Sequence, residues 1–202
     1  MRLLVDTDAF CKLAVGGVLE DAVRLLGAEL KDCGRLPALP HMLRRGRLRK
    51  VFGAETCDSL VALADGVPVI VQPGEAWLER LTPIQAIDPG EAQIFAAAAE
   101  HGMIVVSGDK RALRALKDVG DFPTALAGRI VVLEAVLLAL CDRLGPDELR
   151  RRIRSLIAGD QVVKVCFASP ESDPRVGLRA YFESLAVEVA PLVLWDPRSR
   201  GG

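Results

Sequence analysis

Carboxylates stand at the ends of predicted helices and strands in three separate parts of this sequence. Asp6 and Asp8 follow the first apolar run, Glu91 lies in a DPGE motif and Asp109 in a GDK turn. All-oxygen ligands without histidine suit Mg²⁺ or Mn²⁺ far better than Zn²⁺. The residue types therefore indicate binding of a hard divalent cation.

Two predicted strands must bring these acids together. The runs at residues 3–5 and 103–106 are short and apolar, which is typical of parallel strands buried on both faces. Ligand sites in open α/β sheets lie at the carboxyl ends of such strands. If the two strands are neighbours, the acids that follow them converge on one spot.

Converging carboxylates repel one another. Two unit charges 4 Å apart repel by roughly 4 kcal/mol at an effective dielectric constant of 20. Three or four of them need a counter-charge, and a divalent cation supplies it. The predicted ligands are Asp6, Asp8, Glu91 and Asp109.

Glu91 also has a purely structural interpretation. In DPGE, Asp88 is the predicted N-cap, Pro89 the first helical residue and Glu91 the third, which is the spacing of a capping box. In that motif the glutamate accepts the backbone N–H of the cap residue.

The alternation of strands and helices up to about Leu144 predicts an α/β domain of three layers, α/β/α, around a mostly parallel sheet. Further strands are predicted at residues 67–72 and 129–133. A short helix is predicted before the Gly16-Gly17 pair, and others at residues 19–31, 42–50, 54–64, 75–81, 110–117 and 134–144, besides the helix that Glu91 opens.

Residues 145–202 are predicted to form a C-terminal α/β extension of the domain formed by residues 1–144. An Arg-rich helix is expected at residues 146–158, a strand at 162–168 and a further apolar run within 181–194. The extension either packs on the core or forms a dimerisation element, and a homo-oligomer is predicted.

Bulk composition excludes several classes. A length of 202 residues with 50% hydrophobic residues suits one core-forming domain with an extension. Two histidines argue against a His-based zinc site or a Ser-His-Asp triad, and five cysteines without a CxxC pair indicate buried thiols in a reducing compartment. Because no apolar stretch approaches the ~20 residues of a membrane span, we predict a cytoplasmic protein with no membrane partner.

Charge is nearly balanced, with a formal net charge of −1. Basic residues nevertheless cluster at positions 44–50, 110–117 and 150–154. Such clusters either guide a polyanion to an acidic metal centre or are solvated helix faces.

Asp6 and Asp8 alone allow two interpretations. One is a phosphatase of the haloacid dehalogenase type, whose signature resembles DxDxT. In that class the first aspartate becomes phosphorylated and the second acts as general acid. Here the motif reads DTDAF without the threonine, and Leu113 stands where a second acid is expected after the GDK turn.

The other interpretation is a PIN domain. Over roughly residues 1–144 the sequence resembles this nuclease family in LLVDTDAF, GEAQIFAAAAEHGMIVVSGDKRAL and AGRIVVLEA, in the family's order. The resemblance implies that Asp6 is the first acid, Glu91 the central acid and Asp109 the late acid. Asp6 and Asp109 would bind the metal directly, with Glu91 a ligand through water or a proton acceptor.

The resemblance also implies roles for neighbouring residues. Thr7 or Asp8 takes the place of the small polar residue beside the first acid, and Ser107 that of the hydroxyl before the late acid. Lys110 or Arg111 would hold an adjacent phosphate, although a solvent-facing helix residue is the alternative for Lys110.

The implied activity is Mg²⁺- or Mn²⁺-dependent endoribonucleolytic cleavage of RNA, in the toxin half of a toxin–antitoxin pair with an antitoxin protein as partner. One segment departs from the family. Many active members carry another glutamate at about residues 35–45, where this chain reads RLPALPHMLRR. The second hypothesis is therefore a catalytically impaired PIN-like module that binds protein or RNA.

Overall fold

A four-stranded, fully parallel sheet forms the centre of the computed structural model, which describes residues 1–200 except the side chains of residues 47, 158, 199 and 200. The strand order is β2-β1-β3-β4, and the register aligns Val5 with Val106 and Leu3 with Cys33. The strands are β1 (Leu3–Val5), β2 (Cys33–Gly34), β3 (Ile104–Val106) and β4 (Ile130–Val131).

Helices make up most of the remaining chain. Those before β3 are α1 (Thr7–Val15), α2 (Leu19–Leu25), α3 (Leu39–Arg44), α4 (Arg47–Phe52), α5 (Ala54–Asp65), α6 (Glu75–Leu78) and α7 (Pro89–His101). Those after it are α8 (Lys110–Leu116), α9 (Phe122–Ala125), α10 (Leu133–Leu144), α11 (Pro146–Arg152), α12 (Arg154–Gly159), α13 (Gln161–Cys166) and α14 (Pro174–Glu188). Short 3-10 turns occupy Leu30–Asp32 and Pro197–Arg200.

The helices cover both faces of the sheet. Crossovers between parallel strands are right-handed. From β1 the chain moves towards one edge of the sheet to form β2, and it then moves in the opposite direction to form β3 and β4. Therefore α1 and α2 cover one face, and α7 and α8 cover the opposite face. Because α10 packs against α2, it extends the first layer. The predicted three-layer α/β/α fold is confirmed.

Several helices begin at an aspartate that caps them. The side-chain oxygen of an N-cap aspartate accepts backbone N–H groups that have no partner within the helix. The capping residues are Asp6 (α1), Asp88 (α7), Asp109 (α8), Asp160 (α13) and Asp173 (α14). Asp6 directly follows β1, Asp109 follows β3 after Ser107 and Gly108, and Asp88 begins the helix that precedes β3. The same geometry that starts these helices therefore brings carboxylates together.

The prediction of a strand at residues 67–72 is wrong. Only Val69 makes a bridge there, with Arg35 beside β2. The Arg35 N–H donates to Pro68 O at 2.9 Å, and Ile70 N–H donates to Arg35 O at 3.0 Å. Because Pro68 has no N–H to donate, the ladder does not extend.

The helix predicted at residues 19–31 is shorter than expected and ends at Leu25. Gly27 adopts φ +78°, and Ala28 N–H donates to Val23 O at 3.1 Å, which closes the helix in a left-handed turn. The helix predicted at 42–50 is divided between α3 and α4, and the one at 146–158 between α11 and α12.

The strand predicted at residues 162–168 is also wrong, because residues 161–166 form α13. Asp160 Oδ1 accepts the N–H groups of Val162 and Val163, which starts a helix. Val163 and Cys166, three residues apart, are buried on one face. Capping and burial at helical spacing outweigh the strand preference of the valines.

The C-terminal region, residues 146–196, packs on the rest of the chain. Its longest helix, α14, lies along α10, and Leu178, Phe182 and Leu185 join the same apolar core as the sheet. Leu194 then bridges to Ile130 in parallel, while Trp195 N–H donates to Ile130 O at 2.8 Å. None of the helices within residues 1–200 is both long and apolar enough to cross a bilayer.

Candidate functional site

A cleft of about 890 Å³ opens at the carboxyl ends of β1 and β3. Asp6 N–H donates to Val106 O at 3.0 Å, so the chain that leaves β1 stays beside the end of β3. From these neighbouring strands the chain departs in opposite directions along the sheet. Ligand sites of open α/β sheets lie at such reversal points.

One wall of the cleft is acidic and the other is apolar. The acidic wall contains Asp6, Asp8, Asp88, Glu91 and Asp109. The apolar wall comes from the segment around α3 and α4 and contains Leu36, Ala38, Met42, Leu48, Val51 and Phe52.

Asp6 lies at the inner end of the acidic wall with 8% of its surface exposed. Its Oδ1 accepts the Thr7 N–H at 2.7 Å, which begins α1. Burial raises the pKa of Asp6 to about 7. The Thr7 N–H opposes this rise, and the negative charges of Asp8 and Asp88 add to it.

Glu91 is both a capping residue and a cleft residue. Its Oε2 accepts the Asp88 N–H at 2.7 Å, while its own N–H donates to Asp88 Oδ1 at 2.9 Å, which completes the predicted capping box. Only 4% of its surface is exposed. Burial raises the pKa of Glu91 to about 8. The hydrogen bond from the Asp88 N–H lowers this pKa, whereas the negative charges of Asp88, Asp109 and Asp6 raise it.

Asp109 belongs to the same acidic wall and lies at the start of α8. Its Oδ1 accepts the N–H groups of Arg111 at 2.8 Å and Ala112 at 3.1 Å. The Arg111 guanidinium is 3.7 Å from Asp109 Oδ2, and its side chain is 63% exposed. Ser107 is buried, and its Oγ accepts the Asp109 N–H at 3.4 Å. It supports the turn that carries Asp109.

Asp8 stands at the outer edge of the cleft and already has a counter-charge. Its Oδ2 is 2.8 Å from Lys12 Nζ, which is also 2.8 Å from Asp160 Oδ2. Half of the Asp8 side chain is exposed. Asp8 therefore fits a direct metal ligand less well than Asp6 does.

Lys110 lines the cleft next to Asp109 and binds a buried acid. Its Nζ lies 2.5 Å from Oε1 of Glu134, a residue of α10 that is 5% exposed. The ring of Tyr181 in α14 lies 5.7 Å from the same Nζ. Lys110 is therefore held between two helices and is not a freely solvated helix residue.

The structure brings most of the predicted site residues to one cleft. Those that line it are Asp6, Thr7, Asp8, Glu91, Asp109 and Lys110. Ser107 lies beneath the turn, and Arg111 points outward beside Asp109. The acids thus share one cavity and are not scattered over opposite surfaces.

Four further charged residues of the site were not predicted. Asp88 was interpreted only as a helix cap, although the capping box itself places it beside Glu91. The spacing of Asp8 and Lys12, one helical turn apart, was a signal for their ion pair. Glu134 had a signal, because it directly follows the predicted strand at residues 129–133. Asp160 had none, since only the fold brings α13 to the cleft.

No protein-family model, curated protein or solved structure matches the chain. What the cleft can bind follows from its own donors. Among the side chains that the structure describes, Asp6, Asp88 and Glu91 take part in no ion pair. Two of these three carboxylates are buried and have raised pKa values.

A hard divalent cation fits this donor set by its chemistry. Carboxylate oxygens are the ligands that Mg²⁺ and Mn²⁺ prefer, and a cation would offset the repulsion among the buried acids. Within residues 1–200, no three His, Cys, Asp or Glu side chains already lie close enough to form a ready-made metal site. The fit of a divalent cation to the cleft therefore depends on the negative charge and the oxygen donors of these side chains.

Proposed function

We propose that this chain is a divalent-metal-dependent ribonuclease that hydrolyses RNA phosphodiester bonds in the acidic cleft. One observation carries the proposal. Asp6, Glu91 and Asp109, which come from three distant motifs, line a single cavity, and the two most buried of them have no cationic partner among the described residues. The resemblance to PIN domains implies the same three acids.

Asp6 and Asp109 would hold Mg²⁺ or Mn²⁺ from the ends of the two central strands. Each keeps one oxygen on backbone N–H groups, which fixes the direction of the carboxylate. When bound, the ion supplies positive charge at the phosphate and lowers the pKa of a coordinated water.

Glu91 would accept a proton from the attacking water or orient it. The capping box fixes Oε2 on the Asp88 N–H and leaves Oε1 without a hydrogen bond within residues 1–200. A rigid carboxylate in a largely water-free position is suited to general base chemistry when its pKa lies near neutrality.

Lys110 would hold a phosphate oxygen of the RNA backbone. An ammonium has three donors, and only one is needed for Glu134 Oε1. Arg111, at the outer rim, would attract the adjoining backbone through charge, a contribution that weakens as salt is added.

The test uses purified full-length protein and labelled single-stranded RNA, in Mn²⁺ and in chelator. Asp6→Asn and Asp109→Asn are the informative variants, because asparagine preserves helix capping but removes the charge. Asp118→Asn is the matched control, since Asp118 is 71% exposed and lies outside the cleft. We expect cleavage in Mn²⁺ by the wild type and the control, and a loss of at least about a hundredfold in either cleft variant.

Two results would contradict the proposal. Cleavage that survives in both cleft variants would place the activity elsewhere. A folded wild type that neither cleaves RNA nor binds Mn²⁺ would favour the alternative, a PIN-like binding module, which the absence of an acid at residues 35–45 also favours.

The resemblance extends the proposal to the toxin half of a toxin–antitoxin pair. Expression of the wild type would then arrest growth of the host cell, and expression of Asp6→Asn would not. Equal growth with both chains, at equal protein levels, would remove the toxin role and leave the ribonuclease proposal intact.

A further inference from the structure

Lys12 connects the N-terminal part of the chain to the C-terminal region. Its Nζ is equidistant, at 2.8 Å, from Asp8 Oδ2 on the cleft and from Asp160 Oδ2 at the start of α13. The lysine side chain is 23% exposed and that of Asp160 only 14%. Lys12 therefore links the acidic wall of the cleft to the C-terminal region.

Asp160 is held independently of Lys12. Its Oδ1 accepts the N–H groups of Val162 at 3.0 Å and Val163 at 3.1 Å. Two backbone bonds at one oxygen fix the carboxylate, so that the other oxygen points in a set direction. Lys12, in contrast, has a flexible stem of four carbons. Asp160 therefore determines where the ammonium of Lys12 lies.

The position of Lys12 matters because the cleft contains other acids. Asp6 and Glu91 have no cationic partner among the described residues. An ammonium released from Asp160 would be attracted to these carboxylates and would compete with a cation for their oxygens. Held between Asp8 and Asp160, the same ammonium neutralises the outer edge alone.

We propose that Asp160 is a positioning residue of the acidic cleft, which holds Lys12 against Asp8 and so keeps Asp6 and Glu91 open to a divalent cation. The inference rests on the proposed function, because it takes the cleft to be the cation site. Tyr181 of α14 likewise contacts a second lysine, Lys110, which lines the cleft. The C-terminal region thus restrains both.

Mn²⁺ affinity of the metal-free full chain, measured by titration calorimetry, tests the proposal. Asp160→Asn keeps the capping oxygen but replaces the oxygen facing Lys12 by an amide. We expect the Mn²⁺ dissociation constant to rise about three- to tenfold. Asp173→Asn is the matched control, because Asp173 also caps a helix and binds a basic side chain, Arg175, away from the cleft. We expect its effect to stay within about twofold, as for a distant, screened charge.

A double-mutant cycle separates positioning from a general loss of charge or structure. Lys12→Met removes the ammonium that Asp160 holds, and we expect it to leave Mn²⁺ binding as tight as in the wild type or tighter. In that background, Asp160→Asn should weaken binding no more than Asp173→Asn does. A merely structural role of Asp160 would give the same loss with and without Lys12.

The outcomes distinguish this inference from the proposed function. The inference alone is overturned if the wild type binds Mn²⁺ and Asp160→Asn binds it no more weakly than Asp173→Asn does. It is also overturned if Asp160→Asn weakens Mn²⁺ binding equally with and without Lys12→Met. Weaker Mn²⁺ binding by Lys12→Met also overturns it, and this variant serves if Asp160→Asn does not fold. Wild type that binds no Mn²⁺ at all overturns both.

Discussion

Buried acids dominate the chemistry at the scale of single residues. Asp6 and Glu91 are among the least exposed charged residues of the described chain, and each keeps one oxygen on a backbone N–H. Burial disfavours the charged form of each, so the pKa rises to about 7 and about 8. Near neutral pH and without a cation, the cleft therefore retains protons that exposed carboxyl groups would have lost.

Because the buried acids retain protons, we expect the stability of the protein to depend on pH when a chelator removes divalent cations. The folded-state pKa of Asp6 lies above its unfolded value, so its favourable contribution is complete below about pH 4 and is lost as the pH rises through about 7. Asp6→Asn keeps the cap and removes the buried charge. We expect it to raise the unfolding temperature at pH 8 by about 4 to 10 °C, which corresponds to at most about 4 kcal/mol, and to leave it unchanged at pH 4.

Thermal unfolding followed by circular dichroism at both pH values provides the measurement. Asp118→Asn, at an exposed carboxylate, should show no difference between the two conditions. An increase in the unfolding temperature of Asp6→Asn that is equal at pH 4 and pH 8 would show that charge burial is not its cause.

The sequence allowed the three acids to be predicted because each lies at the junction of an apolar run and a helix signal. Asp6 and Asp109 follow strands, and Glu91 sits in a capping motif. Glu134 has a similar position, directly after the predicted strand at residues 129–133, but its role in the site was not predicted. It lies in the first turn of a helix that also contains Asp142 and Arg143. Its partner Lys110 comes from a different layer, which the sequence does not indicate.

At the scale of elements, aspartate caps connect helix stability to the cleft. Asp88 Oδ1 accepts the Glu91 N–H, and the same carboxyl group lines the acidic wall. The two contributions can be separated by substitution, because asparagine caps a helix about as well as aspartate does.

Asp88→Ala should lower stability by about 0.5 to 2 kcal/mol, or about 2 to 8 °C in the unfolding temperature, through loss of the cap of α7. Asp88→Asn should retain the stability of the wild type in chelator and weaken Mn²⁺ binding severalfold, because only the charge is lost. Unfolding curves and Mn²⁺ titrations of both variants measure the two effects. Equal destabilisation by Ala and Asn would contradict the capping role.

Strands and helices were predictable from the sequence where the local sequence preference agrees with the tertiary packing. The runs that became β1 and β3 are apolar, short and followed by turns, and both were predicted. The runs at residues 67–72 and 162–168 contain three valines each, but they differ in their surroundings. Pro68 limits the first to a single bridge, and the cap at Asp160 makes the second a helix. The amino-acid composition of a run alone therefore does not show whether it forms a strand.

At the scale of the whole molecule, the C-terminal region shares its core with the sheet. Leu178 is fully buried in α14, which lies along α10. The packing predicts that residues 146–196 unfold together with the sheet in one cooperative transition.

The two tryptophans report on the two parts of the chain separately. Trp77 contacts Phe122 near α6, whereas Trp195 lies at the end of the C-terminal region. In Trp195→Phe and Trp77→Phe variants, fluorescence should give the same denaturant midpoint within error. Adding Leu178→Ala should lower both midpoints together, by about 2 to 5 kcal/mol in the free energy of unfolding. Two midpoints that separate would show independent domains.

Residues 193–195 lie along the outer side of β4. Gly128 N–H donates to Val193 O, and Trp195 N–H donates to Ile130 O, so the final segment occupies hydrogen-bonding groups along the outer side of that strand. An uncovered outer strand is a template on which another molecule adds its own backbone, the first step of aggregation. Residues 193–195 therefore block strand addition at this edge of the sheet.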